Sequence, residues 1–423
     1  MPTKKRIYVT DCEGPLTRND NAQEVAERFI PDGAGFFARL SKYDDVLADV
    51  VRKPGYNAGD TLRLIAPFLR AFYVSDEDIE QFSKERVLLV PGALKALDAI
   101  RAIMPTFIIS TSYTPYIKAL CELSGFPLED VRCTELSLDA WEMPEDEAQW
   151  LRAWVPRICA RPVISYPEEA AASAEARGAG GAGAPDAALA RLTDEDRATV
   201  RELDRLFWQE MPQHPVSQAL MDSVRPVGGG VKLEALEAIV AAQGVDGADV
   251  MYVGDSITDA PPLAAVRRWG GVSLSFNGNA YAVAAAEFAA AAPDADVQAR
   301  LAKAFADGGR DAVAAAVRAW PRPKRGKRPS GRPHAGRLGR RGAGRARRGL
   351  RRDAAERPRR ARRPPRLTFV AAPRPFQAAA PRPSHVAAPT IFIAPAVSVR
   401  LALRMVPDRQ SPRRPASLRR SPT

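Results

Sequence analysis

The segment Arg6-Ile7-Tyr8-Val9-Thr10-Asp11-Cys12-Glu13-Gly14 reads as a short buried strand that breaks into an acidic turn. Its β-branched and aromatic run favours a strand, and the Asp and Gly that follow favour a turn. Three further stretches share the pattern. Thr106-Phe107-Ile108-Ile109 runs into Ser110-Thr111-Ser112, and Val250-Met251-Tyr252-Val253 runs into Gly254-Asp255. Val272 to Phe276 is the fourth. Helical patterns lie between them. Ile65, Phe68, Leu69 and Phe72 fall at i, i+3, i+4 and i+7, which makes one apolar face. Pro91-Gly92 opens a helix through Ile100. Thr193 with Asp196 resembles a capping box ahead of Val200, Leu203, Leu206 and Phe207. Gly228-Gly229-Gly230 precedes a helix carrying Leu233, Leu236 and Val240. Strands alternating with helices give an α/β fold with a largely parallel sheet.

The charge divides the chain. The 423 residues carry a formal charge of +12, with 62 basic and 50 acidic groups. Residues 321–423 hold 29 Arg and Lys against 3 Asp and Glu, or +26, so residues 1–320 are left at −14. An acidic body therefore carries a very basic tail, and the overall pI says nothing of the body's partners. The tail is rich in Arg, Pro, Ala and Gly and has no periodicity. It cannot bury enough apolar surface to offset the entropy of ordering, so it reads as disordered. Such a composition also arises when a GC-rich gene is read out of frame. Residues 168–185, rich in Ala and Gly, read as a flexible excursion.

Rare residues exclude several chemistries. Of three His, only His214 lies in the body, which argues against a His-based metal cluster or a Ser–His–Asp triad. His214 reads as a packed or solvated residue. Cys12, Cys121, Cys133 and Cys159 show neither a CxxC pair nor zinc spacing, and read as reduced thiols of a cytoplasmic protein. The N-terminal segment lacks the apolar core of a signal peptide. No run of 18 or more apolar residues exists, so no membrane span is expected.

Four segments could carry chemistry. Asp11 and Glu13 end the first strand, Ser110 ends the second, Lys232 begins a helix, and Asp255 and Asp259 follow the third strand in Gly254-Asp255-Ser256-Ile257-Thr258-Asp259. In open α/β sheets ligands bind at the carboxyl ends of strands, so these distant segments can meet in one crevice. Four carboxylates together repel one another, and a hard divalent cation relieves that repulsion. Oxygen-only ligands suit Mg²⁺, which keeps a substrate phosphate in its shell. A Lys and a hydroxyl suit the remaining phosphoryl oxygens. One carboxylate can attack phosphorus, and a second, two residues on, can protonate the leaving alcohol.

The set resembles the haloacid dehalogenase-like superfamily of phosphohydrolases, over about residues 5–290. Its first motif appears as Asp11-Cys12-Glu13-Gly14-Pro15-Leu16-Thr17. The resemblance implies Asp11 as nucleophile, Glu13 as general acid/base, Ser110 as the second motif's hydroxyl and Lys232 as the third motif's lysine. It implies Asp255 as a metal ligand with Asp259 supporting it; the expected metal set is Asp11, Glu13, Asp255 and Asp259, holding Mg²⁺. The segment Ser275-Phe276-Asn277-Gly278-Asn279 and Pro91-Gly92 look like the phosphoserine-phosphatase-like branch. The first motif looks closest to archaeal-type members described as energy-converting hydrogenase A subunit R. Glu13 departs from the usual Asp of such phosphatases, although enolase-phosphatase members also carry Asp-x-Glu-Gly.

The expected architecture is a Rossmann-like parallel sheet with helical cap insertions. Residues 1–16, 88–112 and 229–320 form the catalytic core, 17–87 a helical cap, 113–228 a second insertion, and 321–423 the disordered tail. The expected function is Mg²⁺-dependent hydrolysis of a small phosphorylated metabolite through an aspartyl-phosphate. A phosphotransferase or mutase of the same fold, and a non-catalytic accessory subunit, are the alternatives. No membrane partner is expected, and nucleic acid only nonspecifically through the tail. The residues Tyr8, Trp208, Phe36, Phe37, Phe68, Phe72 and Tyr73 read as core, and Cys12 as a small buried side chain.

Overall fold

The computed structural model describes residues 4–165, 189–190, 192–320 and 390–393. Six strands form a parallel sheet in the order β3-β2-β1-β4-β5-β6. They are β1 (Ile7–Thr10), β2 (Thr106–Tyr113), β3 (Val131–Thr134), β4 (Val250–Gly254), β5 (Val272–Phe276) and β6 (Phe288–Ala291). The chain builds outward from β1 to β3, returns to the other side of β1, and builds outward again from β4 to β6. The order therefore reverses between β1 and β4, where open α/β sheets form their ligand crevice. Every residue of β1, β4 and β5 is buried, as helices on both faces of a parallel sheet require.

One face packs Tyr8, Met251, Val253, Leu274 and Phe288 against helices Ala93–Arg101 and Asp296–Arg318. The other packs Ile7, Val9, Ile109 and Tyr252 against Leu236 and Ile239 of helix Gly229–Gln243 and Leu263 and Val266 of helix Ala260–Trp269. The Tyr8 hydroxyl donates to Gln298 Oε1 at 2.8 Å, which satisfies the one polar atom this core ring buries.

The first insertion is helical; of the span 113–228 expected as a second insertion, helix Thr114–Ser124 and β3 belong to the sheet's own βαβ unit, and the described remainder is helical. Helices Asn21–Phe29, Gly33–Asp45, Thr61–Ala71 and Asp76–Arg86 come from the first, and Glu145–Cys159, Asp194–Arg205 and Pro215–Ser223 from the second. They share one apolar core. Phe36 and Phe68 of the first are buried with ring centroids 4.9 Å apart, and Phe68 lies 6.3 Å from Phe207 of the second. Thr193 caps its helix by accepting from the Asp196 N–H at 3.1 Å. Phe37 is buried and Phe72 and Trp208 pack at the margin of this core. Tyr73 differs from the sequence reading. It lies beyond the helix end at φ 62, is 64% exposed, and its hydroxyl donates to Glu145 Oε2 at 2.6 Å. His214 stacks on Trp150 at 3.7 Å between centroids.

The tail also differs at one place. Thr390–Ile393 forms β7, antiparallel to β6 with Phe288 opposite Ile393. Thr-Ile-Phe-Ile has strand propensity, and a sheet edge offers unpaired backbone groups. The rest of the expected disordered tail, and the excursion over 168–185, lie outside the described residues. Among the described residues no helix is long and apolar enough to cross a membrane.

Candidate active site

Asp11 follows β1 and Asp255 follows β4, so the two adjacent strand ends at the point of reversal each deliver a carboxylate. Asp259 completes the group, and ligand oxygens of Asp11, Asp255 and Asp259 all lie within 4.8 Å of one another. Lys232, in the first turn of helix Gly229–Gln243, is fully buried. Its Nζ donates to Asp11 Oδ2 at 2.6 Å and to Asp259 Oδ1 at 2.8 Å.

Asp259 is held on both oxygens. Oδ1 also accepts from the Tyr252 hydroxyl at 2.8 Å, and Oδ2 accepts from the Asp255 and Ser256 N–H groups at 3.0 and 3.1 Å. Burial works against its charge, but Lys232 and these hydrogen bonds outweigh it and hold its pKa below the usual value. Burial likewise opposes the Lys232 ammonium, yet the Asp11 and Asp259 carboxylates keep it above its usual value. Asp255 has the opposite surroundings. Burial first, and then the charges of Asp259 and Asp11, push its carboxyl well up. Asp11, 5% exposed, is raised mainly by burial, with Lys232 opposing; its Oδ1 accepts from the Cys12 N–H at 2.7 Å.

Two glycines are required here. A Cβ on Gly14 would lie 2.3 Å from Asp255 Cγ, and one on Gly254 would lie 2.3 Å from Asp259 Cγ. The Asp255 and Asp259 side chains lie against bare backbone, which is why the motifs carry glycine at those positions.

Glu13 was expected among the metal ligands, but its carboxylate is outside the group of three. Its Oε1 accepts from the Asn21 N–H at 2.7 Å, at the start of the first insertion's first helix. Burial and then the neighbouring Asp20 charge push its pKa well up, against the Asn21 N–H. Ser110 was expected at a strand end but lies inside β2, three residues before its end, where it is buried and its hydroxyl donates to Ser112 Oγ at 3.0 Å and accepts from the Ser112 N–H at 3.2 Å. Cys12 is fully buried, and burial raises its thiol well above the ordinary value, so it is a poor nucleophile. Asn277 is occupied structurally: it takes φ 52, and its side chain bonds the Ala292 carbonyl and N–H at 2.9 and 2.8 Å.

Sequence reasoning missed three contributors. Tyr252 read only as a strand aromatic, although a buried tyrosine hydroxyl needs a partner and finds Asp259. The Asn21 N–H carries no sequence signal beyond its place at a helix start. The turn at Asn57–Gly59 descends from the first insertion onto the site. A Cβ on Gly228 would meet the Ala58 carbonyl at 2.3 Å, and one on Gly59 would meet Thr111 and Thr258 methyls at 3.0 and 3.3 Å.

The residues present fit a hard divalent cation. Asp11, Asp255 and Asp259 offer oxygen alone, one ammonium against three carboxylates leaves negative charge for a cation to offset, and among the described residues the Asp255 side chain makes no hydrogen bond to the protein.

The chain is similar in structure to gene product AF1437 from Archaeoglobus fulgidus. The two are 28% identical with a TM-score of 0.62, over 76% of this chain and 89% of that one. A phosphoserine phosphatase in apo form is 12% identical with a TM-score of 0.34, over 67% of this chain and 92% of that one. A HAD-family hydrolase, t0658, from Salmonella enterica serovar Typhi is 13% identical with a TM-score of 0.36, over 66% and 65%. TM-scores below 0.5 are too low for these last two likenesses to assign an activity. No protein-family model matches the chain, and neither does any curated protein at a significant level.

Proposed function

We propose that the protein is a haloacid dehalogenase-like phosphohydrolase, acting on a small phosphorylated metabolite through an aspartyl-phosphate at Asp11. The observation that carries this reading is the site at the β1/β4 reversal, where three carboxylates cluster and two of them, Asp11 and Asp259, pair with one buried lysine. Hydrolysis of a phosphate ester needs a nucleophile, a proton donor and compensation for phosphoryl charge, and each has a candidate here.

Asp11 is the nucleophile. Its Oδ2 is fixed by Lys232 and its Oδ1 by the Cys12 N–H, so the side chain is held without rotamer freedom. As an Asp11 oxygen bonds to phosphorus, the bond from phosphorus to the ester oxygen breaks. Glu13, whose carboxyl burial pushes well above its ordinary value, gives its proton to that oxygen, and the alcohol leaves. Glu13, now a carboxylate, takes a proton from water as the water oxygen attacks phosphorus. Phosphate departs, and Asp11 and Glu13 return to their first states. Lys232 supplies positive charge beside the phosphoryl oxygens, and Ser110, within β2, would donate to them. Asp11 and Asp255 would hold Mg²⁺, with Asp259 held in place behind them by Tyr252 and backbone N–H groups. When bound, the ion supplies positive charge to the carboxylate cluster and to the phosphate. The first insertion, with its turn at Asn57–Gly59 on the site, is where substrate selection would lie.

The test is a phosphate-release screen over a panel of phosphorylated metabolites with Mg²⁺, together with trapping of a labelled acyl-phosphate. Phosphate release that persists in Asp11→Asn, or a label that maps elsewhere, would overturn the proposal. Transfer of phosphoryl to a second substrate without phosphate release would identify a transferase instead.

A further inference from the structure

Resting on that reading, we infer that the backbone N–H of Asn21 positions the Glu13 carboxyl, the proposed general acid. Asn21 is the first residue of helix Asn21–Phe29, and the first N–H groups of a helix have no partner within it. Two acids supply partners here. Asp20, the N-cap, accepts from the Gln23 N–H at 3.1 Å. Glu13 accepts from the Asn21 N–H at 2.7 Å through Oε1. This fixed N–H, with the Ser112 side chain also against the carboxyl, holds the Glu13 side chain in one position.

The same contact accounts for glutamate at a position where the shorter acid is usual. Removing one methylene would draw the carboxyl back by about 1.5 Å, beyond hydrogen-bond reach of an N–H now at 2.7 Å. The acid also becomes tied to the cap. Residues 14–20 lead from the core into the first insertion and pair with its exit, Val90 N–H donating to Leu16 O at 2.8 Å and Arg18 N–H to Leu88 O at 2.7 Å. Asn21 is the first helical residue past that link. A displacement of the cap's first helix withdraws the N–H from Glu13, so the acid is set only when the helix is in place.

Asn21→Pro removes this donor alone from the backbone. Proline is favoured at the first helical position, where its fixed φ suits the helix, and Asp20 at φ −120 and ψ 88 lies outside the α region that a following proline disfavours. Asn21→Ala is the comparison, since it loses the same side chain and keeps the N–H. Two probes separate proton donation from general damage. Glycerol 2-phosphate has an alkoxide leaving group that needs protonation, whereas p-nitrophenyl phosphate releases a phenolate that needs little. We expect Asn21→Pro to lower kcat on glycerol 2-phosphate at least about tenfold more than on p-nitrophenyl phosphate, out of the roughly 10²–10⁴ that a general acid contributes. Asn21→Ala should keep at least about ten times the glycerol 2-phosphate activity of Asn21→Pro. Glu13→Asp, which leaves the helix sequence unchanged, should show the same selective loss. Equal losses on both probes, or equal behaviour of the proline and alanine variants, would overturn the assignment. Wild type inactive on both probes and on the metabolite panel would instead sink the phosphatase reading, and this inference with it.

Discussion

Lys232→Met tests the electrostatic logic of the site without reference to any substrate. The ammonium is fully buried and sits 2.6 Å from Asp11 and 2.8 Å from Asp259. Each such pair is worth about 4 kcal/mol at an effective dielectric constant of ~20, against a desolvation cost of several kcal/mol for the buried ion. Methionine keeps the stem and removes the charge. The carboxylates then face one another uncompensated, and removing one partner of a buried pair costs about 3–5 kcal/mol. The loss depends on pH. Without the cation, the folded-state pKa of the acid pair rises above its unfolded value. Its contribution is then intact below the unfolded value and is lost as pH rises through the folded value, by up to about 1.36 kcal/mol per pH unit per proton. Asp11 already titrates high in the wild type, so part of this slope is shared. The variant should therefore be less stable than wild type by about 4 kcal/mol at pH 8 and by about 2 at pH 5. The assay is urea unfolding of both proteins in chelator at the two pH values. A variant as stable as wild type at pH 8, or a difference that grows as pH falls, would refute the reasoning.

Chelator should remove phosphatase activity and added Mg²⁺ restore it; full turnover in excess chelator would exclude Asp11 and Asp255 as ligands to a required ion. Gly14→Ala should destabilise the protein by at least about 1 kcal/mol and weaken Mg²⁺ binding measured by calorimetry, because its Cβ would overlap the Asp255 carboxylate and φ is +88. Asp44 in the cap is 4% exposed, accepts from the Gly59 N–H at 2.9 Å, and is pushed up to about 8 mainly by burial. Its stability contribution is thus present at low pH and lost as pH rises through 8. Asp44→Asn should melt above wild type at pH 9, with the gap closing toward pH 4; a gap that widens on acidification contradicts this.

The parts of the fold that sequence made legible are those where a buried strand meets a polar turn. β1 and β4 are nearly continuous apolar runs and β5 alternates apolar residues with Ser273 and Ser275, and the residues that follow β1 and β4 change character sharply. β3 was not legible, because Val131-Arg132-Cys133-Thr134 is a short edge strand with an exposed Arg132. β6, Phe288-Ala289-Ala290-Ala291, is alanine-rich and reads as helix by propensity; only its place beside β5 makes it a strand. β2 also runs further than its apolar core, through Ser110 to Tyr113, with a register shift against β3. At the site, Asp11, Lys232, Asp255 and Asp259 were legible as types in context, and the topology supplies their meeting. The position of Glu13 was not legible. It depends on one N–H at the start of a helix eight residues further on.

The insertions show why a linear division into caps understates their coupling. They leave the core from different strands, yet both enter one apolar core around Phe36, Phe68, Trp154 and Phe207. Tyr113, the last residue of β2, donates to the Leu62 carbonyl at 2.6 Å and so ties the second insertion's start to the first insertion's helix. The return of the second insertion, Gly228-Gly229-Gly230, is the seat of the first insertion's turn, with the Ala58 carbonyl against Gly228 and the Asn57 side chain against Gly229 and Gly230. A separate movement of either insertion would have to open a packed aromatic core. Lifting the Asn57–Gly59 turn off its glycine seat breaks far fewer apolar contacts. The two insertions therefore move together more readily than apart. On the proposed function, a movement of the first insertion's first helix would carry the Asn21 N–H away from Glu13.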